Sequence, residues 1–174
     1  IDGKEVNKYD LIWNNPVFSP DSQKIAYIAS KSGVMGYPFV VINNEEGKIY
    51  DFISSPIMFS PDSQKTAYKV TKEGGKDFMV IDGKEGQIYE NIDTFGFSYD
   101  SREIFYVARK AGKFFMVIKD KESRAFDEIY GEPKFSTDSK YITYGAKLSN
   151  ELWWIVDEVE KFPMGNITAD WKIY

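Results

Sequence analysis

The chain has 174 residues, 43% of them hydrophobic and 17% aromatic, enough length and apolar content to bury a core and too much for a disordered tail. A formal charge of −5 with no histidine and no cysteine argues against a general nucleic-acid binder, which needs a cationic footprint. The same absences remove disulfides, thiolate and imidazole metal sites and the usual hydrolase triads, and the longest apolar runs, at 114–118 and 152–156, are far shorter than a membrane-crossing helix.

The opening Ile-Asp-Gly-Lys-Glu returns at 81–85, the first sign of an internal repeat. Phe18-Ser19-Pro20-Asp21-Ser22 recurs as Phe59-Ser60-Pro61-Asp62-Ser63, Phe97-Ser98-Tyr99-Asp100-Ser101 and Phe135-Ser136-Thr137-Asp138-Ser139, at spacings of 41, 38 and 38 residues. Nine residues after each Phe stands a tyrosine (Tyr27, Tyr68, Tyr106, Tyr144), and about nine before it an aromatic residue followed by an acid: Tyr9-Asp10, Tyr50-Asp51, Tyr89-Glu90, Phe126-Asp127. These landmarks divide a single domain of residues 1–174 into repeats at about 16–55, 56–94, 95–132 and 133–174, with 1–15 left over.

Each repeat predicts four short strands. The first, ending in Ile57-Met58-Phe59 in the second repeat, runs into Ser-Pro-Asp-Ser, where Pro presets φ for a type I turn and Asp or Ser side chains can accept from backbone amides further on. The second strand, at 25–29, 66–70, 104–108 and 141–145, ends in a polar loop. The third is apolar throughout (39–42, 78–81, 114–118, 153–156), as a strand covered on both faces is. The fourth, at 48–53 in the first repeat, mixes polar and apolar positions like a strand near solvent, after a turn rich in Asn, Gly and acids. Small sheets apolar on both faces stack face to face, so an all-β chain is expected.

A period near 40 residues carrying four strands is the pattern of a β-propeller blade. The Phe-Ser-Pro-Asp-Ser turn followed by an apolar strand with Tyr resembles the WD-like repeat of TolB-type propellers, a pattern shared with the propeller domains of prolyl-oligopeptidase-type peptidases. The resemblance covers residues 15 to about 157, with Tyr99 and Thr137 replacing the proline in the later repeats. It implies an all-β propeller of four-stranded antiparallel blades, four of them in this chain, and favours a periplasmic or extracellular location. It implies no reaction, because binding proteins, scaffolds and non-catalytic domains of enzymes all share it. Ile1 aligns with Ile42, Ile81, Ile118 and Val156 at the ends of third strands. Residues 5–12 are therefore expected to form a fourth strand without a blade, making 1–15 an orphan outer strand of the kind that often closes the ring in the family resembled. Residues 157–174, with Phe162, Ile167, Trp171 and Tyr174, are long enough to supply the last blade with an outer strand of its own. Two outer strands for one edge predict homo-oligomers joined through end strands, a closed four-blade ring with the tail packed elsewhere, or a piece of a longer propeller.

Carboxylates are the only remaining source of acid–base chemistry, and nearly every Asp and Glu falls in a repeated turn. No catalytic residue, metal ligand or cofactor is expected. Asp21, Asp62, Asp100 and Asp138 read as turn caps because they recur with the turn. Asn43-Asn44-Glu45-Glu46-Gly47 lacks the alternating spacing of an EF-hand loop and reads as a hairpin turn. Asn166-Ile167-Thr168 matches the glycosylation sequon. Adjacent Trp153 and Trp154 alternate across a strand and are expected to pack between blades.

In a propeller the fourth-to-first and second-to-third connections share one face. That face would collect Lys31, Lys72, Lys76, Arg109, Lys110, Lys113 and Lys147 with the acids Glu73, Asp77 and Glu151, opposite a face holding the turn aspartates with Glu45, Glu46, Asp82, Glu85, Asp120, Glu122, Asp157 and Glu158. The longest second-to-third loop, 30–38, carries Val34, Met35 and Tyr37, and Trp13-Asn14-Asn15 and Tyr130 would lie beside it. Aromatic and methionine side chains in loops over a rigid scaffold suit a binding surface. The expected binding residues are Trp13, Asn14, Asn15, Met35, Tyr37 and Tyr130, serving a non-enzymatic module that meets a protein or peptide. A small-molecule or glycan ligand, or service to a peptidase-like domain elsewhere, are the alternatives.

Overall fold

The computed structural model describes residues 7–32, 36–157 and 159–164 and, of these, the backbone alone at 14, 55 and 159–164. No helix occurs among the described residues, which form four antiparallel sheets. The first holds β1 (Leu11–Phe18), β2 (Ile25–Ser30), β3 (Phe39–Ile42) and β4 (Glu45–Ile49). The second holds β5 (Phe52–Phe59), β6 (Thr66–Lys72), β7 (Lys76–Ile81) and β8 (Lys84–Glu85). The third holds β9 (Asn91–Phe97), β10 (Ile104–Lys110), β11 (Lys113–Ile118) and β12 (Lys121–Glu122). The fourth holds β13 (Glu128–Phe135), β14 (Ile142–Leu148), β15 (Glu151–Val156) and β16 (Val159–Met164). Each is a meander in which neighbours in sequence are neighbours in the sheet.

Two kinds of turn set this pattern. In the first hairpin Ser19 Oγ donates to Asp21 Oδ1 (2.6 Å), Asp21 Oδ1 accepts from the Gln23 N–H (3.0 Å), and Ser19 Oγ accepts from the Lys24 N–H (2.8 Å). The same trio recurs around Asp62, Asp100 and Asp138, so these aspartates are turn caps. Between third and fourth strands the two turn residues both have positive φ, at Asn43-Asn44, Asp82-Gly83 and Lys119-Asp120, the conformation that matches the twist of a two-residue hairpin.

The core lies between sheets. Ala26, Ile28 and Val40 of the first sheet meet Tyr68, Val70, Phe78 and Val80 of the second; Ala67 and Met79 of the second meet Ile104, Tyr106 and Val117 of the third; Phe105, Val107 and Met116 of the third meet Ile142, Tyr144 and Ile155 of the fourth. Trp153 packs against the last of these clusters. The third strands of the second and third sheets, β7 and β11, are sandwiched twice, whereas β15 of the last sheet is mostly half-buried. By contrast β4 is exposed along its whole length.

The aromatic before each acid locks one unit to the next. Tyr50 stands edge-on to Tyr68 and Phe78, Tyr89 to Tyr106, and Phe126 to Tyr144. Tyr9 makes the same contacts with Tyr27 and Phe39, so it holds the landmark position of a preceding unit.

The strand around it differs from expectation. Leu11 and Ile12 open β1 of the first sheet, so 11–15 belong to that sheet and not to an orphan outer strand 1–15 or 5–12; residues 1–6 lie outside the described residues. The cause is the same in every sheet: the first strand reaches back across a bulge. Pairing shifts register between Trp13 and Val17, Ser54 and Met58, and Tyr130 and Lys134, which admits Pro16, Pro56 and Pro133 without a missing ladder bond. Phe52 accordingly starts β5, and the fourth strand placed at 48–53 is β4, ending at Ile49. At the other end β16 pairs with β15, so the last sheet supplies its own fourth strand.

Candidate functional site

The bulge in β1 and the loop after β2 meet at a cleft of about 330 Å³ between the first and second sheets, lined by Trp13, Ile28, Gly36, Tyr37, Pro38, Asp51, Phe52 and Ile53. Trp13 is the last residue paired before the bulge, opposite Ile28, and its ring packs on the core cluster between the two sheets. Its indole N–H is buried without an acceptor, an arrangement that costs about 1–3 kcal/mol. Tyr37 and Phe52 form the rim, 65% and 54% exposed, while Ile28 and Ile53 form the buried floor. Asp51 Oδ2 accepts from the Glu73 N–H at 3.0 Å, which fixes the carboxylate at the edge of the cleft.

Of the expected binding residues, the structure brings Trp13 and Tyr37 together and leaves the others apart. Asn15 is exposed on β1 and does not line the cleft. The side chain of Asn14, and Met35 and Val34 entirely, lie outside the described residues. Tyr130 takes in the fourth sheet the place that Trp13 takes in the first, opposite Gly145. It donates its phenol to Glu128, a bond that holds its pKa above the ordinary tyrosine value. Sequence reasoning missed Asp51, Phe52 and Ile53 because they were placed in an outer strand. The signal was present: Phe52 follows the landmark acid where the second and third repeats have Asn91 and Glu128.

The expected separation of charge between two faces is not kept. Lys31 pairs with Glu46 at 2.6 Å and Lys110 with Glu122 at 3.0 Å, joining residues assigned to opposite faces. Asp77 is not a loop acid but a buried residue of β7. Its Oδ2 meets Lys69 Nζ at 3.1 Å and the Ile92 N–H at 3.0 Å, and its Oδ1 accepts from Thr71 Oγ1 at 2.7 Å.

Further clefts open at the other ends of the sheets, one beside Lys119, Lys121 and Lys140, another beside Asn43, Glu45 and Asp82. Neither gathers aromatic rings as the Trp13 cleft does.

Among solved structures, the chain is similar to the β-propeller domain of the Trilobed protease from Pyrococcus furiosus, at 15% identity and a TM-score of 0.60, covering 94% of this chain and 60% of that one. The fold is a β-propeller. The propeller chain is also similar to the acylaminoacyl peptidase of Pyrococcus horikoshii (13% identity, TM-score 0.53, 91% of this chain and 34% of that one). TolB from Acinetobacter baumannii is a further match (19% identity, TM-score 0.43, 81% and 39%). The chain thus spans 60% or less of each of these proteins. No family model and no curated protein matches it. Likeness at such identity carries the fold and nothing of the activity.

Proposed function

We propose that the four sheets are four successive propeller blades and that they present the Trp13–Tyr37–Phe52 cleft to a peptide or protein segment, without catalysing a reaction. The observation that carries this reading is the pairing of two largely exposed aromatic rings with a buried apolar floor at the junction of two rigid sheets. Large, stiff rings over a scaffold supply contact area at little entropic cost, and such residues dominate binding energy at interfaces. A second reading, a propeller that guides peptides for a catalytic domain, draws support from the likeness to the propeller domain of a protease. It uses the same cleft and is separated from the first by the length of the coding region.

Panning a random peptide library on the immobilised protein tests the common element. Enriched peptides are expected to lose at least tenfold in affinity against a Tyr37→Ala/Phe52→Ala variant whose melting temperature is retained. Peptides that bind this variant equally, or a library that enriches nothing, would remove the reading.

A further inference from the structure

We propose that the cleft is a cation site, taking the guanidinium of an arginine carried by the partner peptide, with Asp51 as its counter-ion. This rests on the peptide-binding reading and narrows it. The first support is an internal contrast. The chain covers many of its own rings with cations: Lys31 stands 5.8 Å from the centre of Phe39, Lys48 5.8 Å from Tyr50, Lys72 5.1 Å from Phe78, Arg109 5.9 Å from Phe114 and Arg124 5.0 Å from Phe126. Among the described residues no such cation covers Trp13, Tyr37 or Phe52.

The second support is the acid. At the equivalent positions Glu90 has Arg109 at 3.9 Å and Asp127 has Lys113, whereas among the described residues Asp51 has only the Glu73 N–H. Lys72, on the same hairpin as Glu73, is turned to the ring of Phe78. Aromatic faces and a carboxylate around one opening attract a cation with an apolar stem, and a planar guanidinium stacks on rings better than an ammonium does. A volume near 330 Å³ lies at the low end of the roughly 300–1,000 Å³ of ligand pockets, a fit for one long side chain.

The test titrates ¹⁵N-labelled protein with a capped pentapeptide bearing one central arginine among alanines, and with the same peptide bearing neutral, near-isosteric citrulline. Saturable shifts are expected at the Trp13 indole and the Phe52 and Ile53 amides, at least tenfold weaker for citrulline. Asp51→Asn, whose side-chain oxygen still accepts the Glu73 N–H, should remove that preference. Phe52→Leu, at an exposed position, should weaken the arginine peptide alone, and it decides the matter if the first variant is unstable. Equal affinity for the two peptides at the cleft overturns the cation site and leaves peptide binding standing. Absence of shifts at these groups also overturns it, while library panning judges the broader reading independently.

Discussion

The serine that ends each turn holds a positive φ, near 60° at Ser22, Ser63, Ser101 and Ser139, a conformation that glycine adopts with less strain. Its hydroxyl is the reason to keep it. Ser63 Oγ accepts from the Asp21 N–H of the preceding turn at 3.0 Å, Ser101 Oγ from Asp62 at 2.8 Å and Ser139 Oγ from Asp100 at 3.0 Å. Ser63→Ala should therefore cost about 1–2 kcal/mol in urea unfolding, because it orphans a donor and leaves the strain in place. Ser22 accepts no such bond among the described residues, so Ser22→Gly should be neutral or stabilising. Equal losses at both positions would show that the hydroxyl bond between turns contributes nothing.

The capped aspartates of the same turns respond to pH. The serine hydroxyl first, then the backbone N–H, holds the carboxyls of Asp21, Asp62, Asp100 and Asp138 below the ordinary value. A lowered folded-state pKa means that the unfolded chain takes up the proton first. This contribution is complete above the ordinary aspartate value of about 3.9 and is lost as pH falls below it. Melting temperatures recorded from pH 5 to 2.5 should fall steeply at the acid end, and less steeply for Asp62→Asn. The caps were legible in sequence because each turn carries its own donors and acceptors. The bond from turn to turn was not, since it joins residues a whole repeat apart.

At the level of elements, the strands that sequence places best are the third ones. Phe39–Ile42 matches in full, and the others gain a residue or two at their start, because burial on both faces leaves an unbroken apolar run. First strands were shortened by their prolines, which mark bulges here and not strand ends. That misreading also hid half of the cleft, since Asp51 and Phe52 enter it from the start of β5. The buried pair of Lys69 and Asp77 was equally hidden, as a lysine and an acid beside a hairpin look like solvent residues. Asp77→Ala should destabilise by about 2–4 kcal/mol, because it orphans the Thr71 hydroxyl and the Ile92 N–H and leaves the partly exposed Lys69 with only the Ile92 carbonyl. The double variant Lys69→Met/Asp77→Ala should recover part of that loss in the same denaturant series; no recovery would mean that Asp77 acts through the Thr71 and Ile92 bonds instead.

For the whole molecule, the tyrosines between sheets tie folding to alkaline pH. Burial pushes the phenol of Tyr106 up to about 12, and raises Tyr68 and Tyr89 further, also mainly through burial. The folded state favours the neutral phenol. Their contribution is full below the ordinary value of about 10 and is lost as pH rises through the raised values. Phenolate absorbance should show the buried Tyr68, Tyr89 and Tyr106 ionising only as the circular dichroism signal collapses. A single ordinary titration of every tyrosine in a folded protein would contradict the packing described.

The turn-to-turn bond has a consequence for how such a chain can grow. Donor and acceptor are neighbours in sequence: Asp62 gives its N–H to the turn after it, and Ser63 receives from the turn before. The two inner turns are thus plug and socket at once, so an in-frame duplication or loss of about 38 to 41 residues between them, wherever in the period it starts, leaves each remaining junction complete. Length can drift by whole periods without new chemistry being invented at any seam. The lysine straps are less portable. Lys24 and Lys65 reach the carbonyls of Ser63 and Ser101 at 2.7 and 2.9 Å, but the matching positions in the later repeats are Glu103 and Tyr141, so a copy of the early repeats would carry a strap that a copy of the later ones lacks.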